Sequence, residues 1–176
     1  KGCQPMVREL TSLVEKFAER FEEKKRTKNM IDFSDMEQYA MKILTEKTEG
    51  GFCPTAAAEE YQEQFLEIMI DEYQDSNLIQ ETILTSVSRY SRGEYNIFMV
   101  GDVKQSIYRF RLSRPELFME KYDTYSTEDS DTQRIDLHKN FRSRVEVLES
   151  VNYIFRQIMT RPLGGIAYDE DAALYV

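Results

Sequence analysis

Helical and strand-like segments alternate along this chain, two short and nearly unbroken apolar runs lie at residues 65–70 and 97–100, and an acid follows each run within two residues. These three observations place the sequence in the α/β class, with parallel strands flanked by helices. At 176 residues the chain has the length of one ordinary domain, enough for a sizeable core.

The first element is a helix. Met6, Val7, Leu10, Leu13, Val14, Phe17 and Phe21 recur at helical spacing with charges between them, and the charged run at 22–26 is its solvated end. A second helix opens at Ser34, whose hydroxyl can cap while Glu37 reaches back, and it buries Met36, Tyr39, Ala40, Ile43 and Leu44. Gly50, Gly51 and Pro54 break that pattern, and residues 56–64 read as a helix leading into the 65–70 strand, expected to be buried on both faces. A helix over 77–90 buries Leu78, Ile79, Ile83, Leu84 and Val87, and the second strand follows at 97–100. Ser113 and Glu116 repeat the capping spacing with Pro115 in the first turn, which starts a helix through Leu117, Phe118 and Tyr122. Residues 126–131 are polar, acidic and aperiodic, the best place for a boundary between lobes. A third strand is expected to begin at Arg134, apolar at alternate positions over 135–137, and Ser143 with Glu146 opens a last helix that runs through Met159 and stops near Pro162. There is no internal repeat, and the segment from Gly164 onward is too short to read.

With 41% hydrophobic and 31% charged residues the chain folds rather than staying disordered, and no apolar run approaches the roughly 18 residues of a membrane helix. Cys3 and Cys53 have neither metal-ligand spacing nor a disulfide framework, so two free thiols and a cytoplasmic location are expected. The chain begins at Lys1 without a methionine or a leader, as a segment cut from a longer protein would. A net charge of −9 argues against generic nucleic-acid binding. The cations are nevertheless clustered. Lys104, Arg109, Arg111 and Arg114 occupy 104–114 with no acid, and Arg134, Lys139, Arg142 and Arg144 occupy 134–144 with Asp136 alone.

Asp71 and Glu72 close the first strand, at the edge where parallel sheets bind their ligands. Neighbouring strand residues point to opposite sides, so one carboxylate can hold the hydration shell of Mg2+ while the other orients an attacking water. An acidic pair alone is equally well explained as a strand entering a solvated loop. Gln74 and Asp75, then Gly101-Asp102 after the next strand with Gln105-Ser106 close behind, make the coincidence hard to sustain. Gly101 permits a tight exit from the strand. Gln105 can donate to a phosphate oxygen or hold the lytic water without carrying charge, its simpler role being to stabilise a turn. Tyr108, Arg109, Phe110 and Arg111 interleave aromatic and basic groups, the composition that stacks bases while neutralising phosphates, although a half-buried strand with Ile107 inside would also fit. Asn140-Phe141-Arg142-Ser143 follows the third strand and puts a guanidinium where a second lobe could bring it to a nucleotide held by the first. An isolated arginine before a helix is more simply a surface ion-pair partner. His138, the sole histidine, is an ordinary loop residue.

At these residues the chain resembles the UvrD/Rep branch of superfamily 1 DNA helicases and, within it, the AddA (RexA) subunits of bacterial ATP-dependent helicase/nucleases. The 70–75 run Ile-Asp-Glu-Tyr-Gln-Asp is similar to helicase motif II, residues 100–111 to motif III, residues 137–144 to motif IV, and Asp32-Phe33-Ser34-Asp35-Met36 to a short segment that precedes motif II. The narrower likeness rests on Gly101-Asp102-Val103-Lys104-Gln105, on Phe110-Arg111-Leu112-Ser113 and on residues 168–174. The resemblance implies that Asp71 serves Mg2+, that Glu72 activates water, that Gln105 and Arg142 contact the terminal phosphate of ATP, and that Phe141 stacks on adenine. Tyr108, Phe110 and Arg111 would lie against single-stranded DNA. It further implies a partial RecA-like P-loop NTPase core: a helical segment of an insertion domain at 1–29, the latter part of a first RecA-like domain at 30–125, and the start of a second at 126–176. The family role is unwinding DNA in double-strand break processing, together with an AddB-type partner.

No Gly-x-x-x-x-Gly-Lys-Ser/Thr occurs in the chain, so the loop that cradles phosphates is not in it, and neither are the late helicase motifs or a nuclease carboxylate cluster. This segment by itself is therefore expected to be inactive. A stand-alone UvrD-like helicase without a nuclease, or a non-catalytic DNA-binding scaffold on the same fold, are the alternatives. Retention of Asp71, Glu72, Gln105 and Arg142 speaks against the scaffold.

Overall fold

The computed structural model describes residues 4–164 and 166–176, apart from the side chain of Arg111. The chain divides into two compact units, Lys1–Ile43 and Leu44–Val176.

In the first unit α1 (Gln4–Thr27) follows the apolar spacing and continues through the charged run. Lys24, Lys25 and Arg26 form its last turn, where cations complement the helix dipole. Its apolar stripe is exposed from Met6 to Phe21. Helix α2 (Phe33–Leu44) is not capped by Ser34. Asp32 accepts from the N–H of Asp35 at 2.9 Å while Asp35 accepts from the N–H of Asp32 at 2.8 Å, so the reciprocal box lies two residues earlier than expected. Lys25 Nζ then joins the end of α1 to this cap, 2.5 Å from Asp35 and 3.3 Å from Asp32.

The second unit opens with a hairpin, β1 (Thr45–Thr48) against β2 (Gly51–Pro54), antiparallel with Thr48 opposite Gly51. Gly51 has φ +124°, a conformation that side chains rarely adopt. Helix α3 (Ala56–Gln64) is capped by Thr55, and buried Gln62 donates from Nε2 to the carbonyl of Ser86 at 2.8 Å, fastening α3 to α4 (Leu78–Val87). Asn77 and Gln80 form a complete capping box at the start of α4.

Strand β3 (Ile68–Ile70) pairs in parallel with β4 (Ile97–Met99), Ile68 opposite Ile97, and α4 makes the crossover between them. The strand is shorter than the apolar run because Phe65 still belongs to the end of α3, its N–H donating to Tyr61. It is also not buried on both faces: Met69 is 71% exposed and its register partner Phe98 54%. A two-stranded sheet with helices on one side leaves its other face open. The result is a mixed α/β arrangement of strands flanked by helices.

Helix α5 (Pro115–Thr124) has Pro115 in its first turn, as expected, but the Ser113 box does not form. Arg114 is the N-cap and the Ser113 hydroxyl is buried without a hydrogen-bond partner. Helix α6 (Val145–Ile158) likewise starts from Arg144 without a side-chain cap, and a short α7 (Arg161–Gly164) follows. The third strand is absent among the described residues. Residues 135–137 belong to no strand, Ile135 and Leu137 are exposed, and only single bridges occur nearby, Ser126 with Gln133 and Lys139 with Tyr175. A strand needs a neighbour's N–H and C=O groups, and residues 135–137 find none here. Arg134 is held instead by the carbonyl of Tyr122, the ring of the same residue and Asp136. The unread C-terminal stretch folds back on α6: Tyr168, Ala172 and Ala173 pack with Phe155 and Met159, and Asn152 ties the layer together by accepting from the Tyr168 hydroxyl and donating to the Leu174 carbonyl.

Among the described residues no helix is long and apolar enough to cross a membrane. Cys53 is a free, exposed thiol, while Cys3 lies outside the described residues.

Candidate active site

The parallel pairing of β3 with β4 brings the two following turns side by side. Val100 donates to Ile70 at 2.8 Å and Tyr73 donates back to Val100 at 2.9 Å, so the ladder runs past both strands into the turns. Tyr73 is fully buried. Its hydroxyl donates to Glu81 of α4 at 2.5 Å, Lys121 of α5 pairs with the same carboxylate at 2.8 Å, and the ring packs beside Phe118. Burial, then Glu81, pushes the Tyr73 phenol well above its ordinary value, so it remains a proton donor.

With Tyr73 fixed, the two residues before it must turn outward. Glu72 has φ 53° and ψ 40°, left-handed, a conformation that costs a non-glycine residue about 1–2 kcal/mol. Asp71 supports it by accepting from the Glu72 N–H at 2.9 Å. Both carboxylates line an open groove of about 450 Å³ together with Asp75 and Gln80, over a floor that includes Ile83 and Leu84. Asp75 Oδ1 is buried without a hydrogen-bond partner, and burial, then the nearby Glu72 charge, raises its carboxyl above the usual aspartate range. A second groove of about 580 Å³ between α6 and the C-terminal stretch is lined largely by apolar side chains such as Leu148 and Leu174 and contains none of the expected site residues.

Gln105 joins the acidic pair through a chain of hydrogen bonds. Its Nε2 donates to Asp102 Oδ2 at 3.1 Å, the Asp102 N–H donates to Gln74 Oε1 at 3.0 Å, and Gln74 Nε2 donates to Glu72 Oε2 at 2.6 Å. Gln105 itself does not line the groove, nor does Arg142. Gly101 serves space rather than backbone freedom. It is not among the positive-φ glycines, and a Cβ there would lie 2.6 Å from Gln74 Oε1.

Tyr108 and Phe110 are exposed neighbours with ring centroids 6.0 Å apart, the first capping the 3-10 turn Arg109–Arg111 and the second within it. The Arg111 side chain lies outside the described residues. The basic island is less free than its composition suggests, because Arg109 and Arg114 both pair with Glu116 and Lys104 pairs with Asp102 at 2.8 Å. Phe141 is 90% exposed and Arg142 is exposed beside it, in a turn held by Asn140, whose Oδ1 accepts from the N–H groups of Arg142 and Ser143. The structure thus gathers Asp71, Glu72 and Gln105 into one network and leaves Phe141 and Arg142 outside it. Gln74, which sequence reasoning used only as a motif member, is the connecting side chain.

Among the described residues no three His, Cys, Asp or Glu side chains converge as a metal cage. Mg2+ is commonly held by one or two carboxylates plus waters and phosphates, and Asp71 at the groove suits that mode.

Residues 4–126, which carry both turns, match the family model of the UvrD/REP helicase N-terminal domain. The chain belongs to the UvrD/Rep helicase family. Within this family it is similar to an ATP-dependent helicase/nuclease subunit from Lachnoclostridium phytofermentans, 58% identical over 94% of the chain and 12% of that protein. The proteins of the same name from Bacillus pumilus and Clostridium beijerinckii are 53% and 46% identical over 97% and 99% of the chain, in each case 14% of their own length. This UvrD/Rep segment therefore spans about an eighth of the relatives it matches.

Proposed function

We propose that this chain is an internal segment of an AddA-type subunit that couples ATP hydrolysis to translocation on, and unwinding of, DNA during double-strand break processing in the cytoplasm, alongside an AddB-type partner. In this reading Glu72 orients the attacking water, Asp71 holds Mg2+ through its hydration shell, and Gln105 and Arg142 meet the terminal phosphate. Phe141 receives the adenine, and Tyr108, Phe110 and Arg111 face single-stranded DNA. Bound Mg2+ would neutralise charge on the phosphates. The layout assigned is an insertion-domain helix at 1–29, the latter part of a first RecA-like domain at 30–125 and the start of a second at 126–176. Nuclease activity is assigned to a part of the protein other than these residues.

The observation that carries this reading is the hydrogen-bonded path from Glu72 to Gln105 across the ends of two parallel strands. Closure of a second lobe carrying Arg142 would complete the site, consistent with its absence from the groove. In the full-length protein, Glu72→Gln should slow DNA-stimulated ATP hydrolysis by roughly 10²- to 10⁴-fold, the contribution of a positioned general base, and Arg142→Ala should also be severe. Unchanged steady-state rates in both would refute the roles.

A further inference from the structure

We infer that Gln74 is a positioning residue for hydrolysis, whose side-chain amide locks the carboxylate of Glu72 to the backbone of the 101–105 turn, and that residue 101 must be glycine to admit it. The inference rests on the reading of Glu72 as the water-orienting group.

Gln74 is 1% exposed, and both ends of its amide are used. The Asp102 N–H can only donate, so the amide oxygen must face it, and Nε2 must then face Glu72. No other side chain of this length does both. Glutamate would set a like charge against Glu72, and lysine would offer no acceptor to Asp102. Glu72 needs such a clamp, because its left-handed backbone leaves the carboxylate exposed at the rim of an open groove. Gly101 supplies the room: an added Cβ would meet Gln74 Oε1 at 2.6 Å, Phe118 Cε2 at 3.2 Å and the Gln74 backbone nitrogen at 3.3 Å. The turn held by the clamp also carries Gln105, which bonds to the Asp102 carboxylate. A shift of that turn on meeting phosphate is thereby transmitted to Glu72 through one amide.

The test uses the full-length helicase protein in complex with its partner, with kcat and KM for ATP measured at saturating single-stranded DNA. The variants are Gln74→Ala, Gln74→Glu, Gly101→Ala, the Gln74→Ala/Gly101→Ala double variant, and Glu72→Gln as reference. Gln74→Ala should lower kcat by about 10- to 100-fold, the loss expected when a reacting group is misplaced by an ångström or less, with KM for ATP within about threefold of the parent. Gln74→Glu keeps the acceptor for Asp102 but loses the donor to Glu72 and sets a like charge against it, so it should lower kcat at least as far as Gln74→Ala. Gly101→Ala should fall in the same direction, and the double variant should lose less than the two single losses combined, since the amide that the new methyl displaces is gone while the closer approach to Phe118 and the residue 74 backbone remains. Wild-type kcat in Gln74→Glu, or fully additive losses in the double variant, would overturn the inference. If Glu72→Gln is dead while the Gln74 variants turn over normally, only the clamp is wrong. If Glu72→Gln turns over normally, the reading of Glu72 itself fails.

Discussion

Asp75 sits three residues from Glu72 on the same groove, and its buried Oδ1 has no donor to satisfy it. Its carboxyl is raised by burial first and by Glu72 second. An acid whose folded value lies above its unfolded one stabilises the fold when protonated, below its ordinary 3.8, and loses that contribution as pH rises through the raised value. At neutral pH the ionised side chain is therefore a burden on folding. Asp75→Asn should raise the thermal midpoint of the chain at pH 7, and the gain should shrink as pH is brought below the aspartate range. Circular-dichroism melts across pH would show this, and an equal effect at all pH values would contradict it. Destabilisation tolerated beside Glu72 and Asp71 is common where charge is held ready for a ligand.

Among the elements, α4 matters most to the groove, because it supplies Gln80, Ile83 and Leu84 to the lining and Glu81 to Tyr73. Its start depends on Asn77, whose side chain accepts from the N–H groups of Ile79 and Gln80. Asn77→Ala should cost about 1 kcal/mol of stability, the usual worth of an N-cap, measured as a shift in urea midpoint without a change in slope. No shift would mean that water replaces the cap. Helices α1 and α4 and strand β4 were legible in the sequence because each carries its own periodicity or apolar run. The hairpin β1–β2 was not, since Thr45-Glu46-Lys47-Thr48 has no apolar alternation and Gly50-Gly51 reads as a mere break. The capping boxes at Ser34, Ser113 and Ser143 failed because the spacing of a hydroxyl and an acid does not decide which residue turns the chain. At Asp32 and Asp35 two carboxylates took that role. Asp71, Glu72 and Gln105 were legible as candidates because they belong to the polar turns that follow the two apolar runs. The role of Gln74 was not, because it depends on a contact with the backbone of Asp102, far along the chain.

For the molecule as a whole, the decisive property is how much apolar surface stays uncovered. Met69 and Phe98 lie open on the sheet, Ile135 and Leu137 on a segment outside any strand, and Leu10, Leu13 and Phe17 along α1. Exposed apolar surface in each unit favours association. The chain alone should therefore show a sedimentation-average mass that rises with concentration over the micromolar range, and a concentration-independent monomer would contradict this. The proposed chemistry bears on the same scale, because a site shared between two lobes would work only when both are held together. Without a phosphate-cradling loop in these residues, the chain alone should have no Mg2+-dependent ATPase above background.

The most direct measurement is single-turnover cleavage of ATP by the full-length Glu72→Gln protein, run beside a titration of its ATP affinity with DNA bound. Affinity within about threefold of the parent, together with cleavage slowed by roughly 10² or more, is the outcome that the proposed chemistry predicts. Cleavage at the parent rate would contradict it.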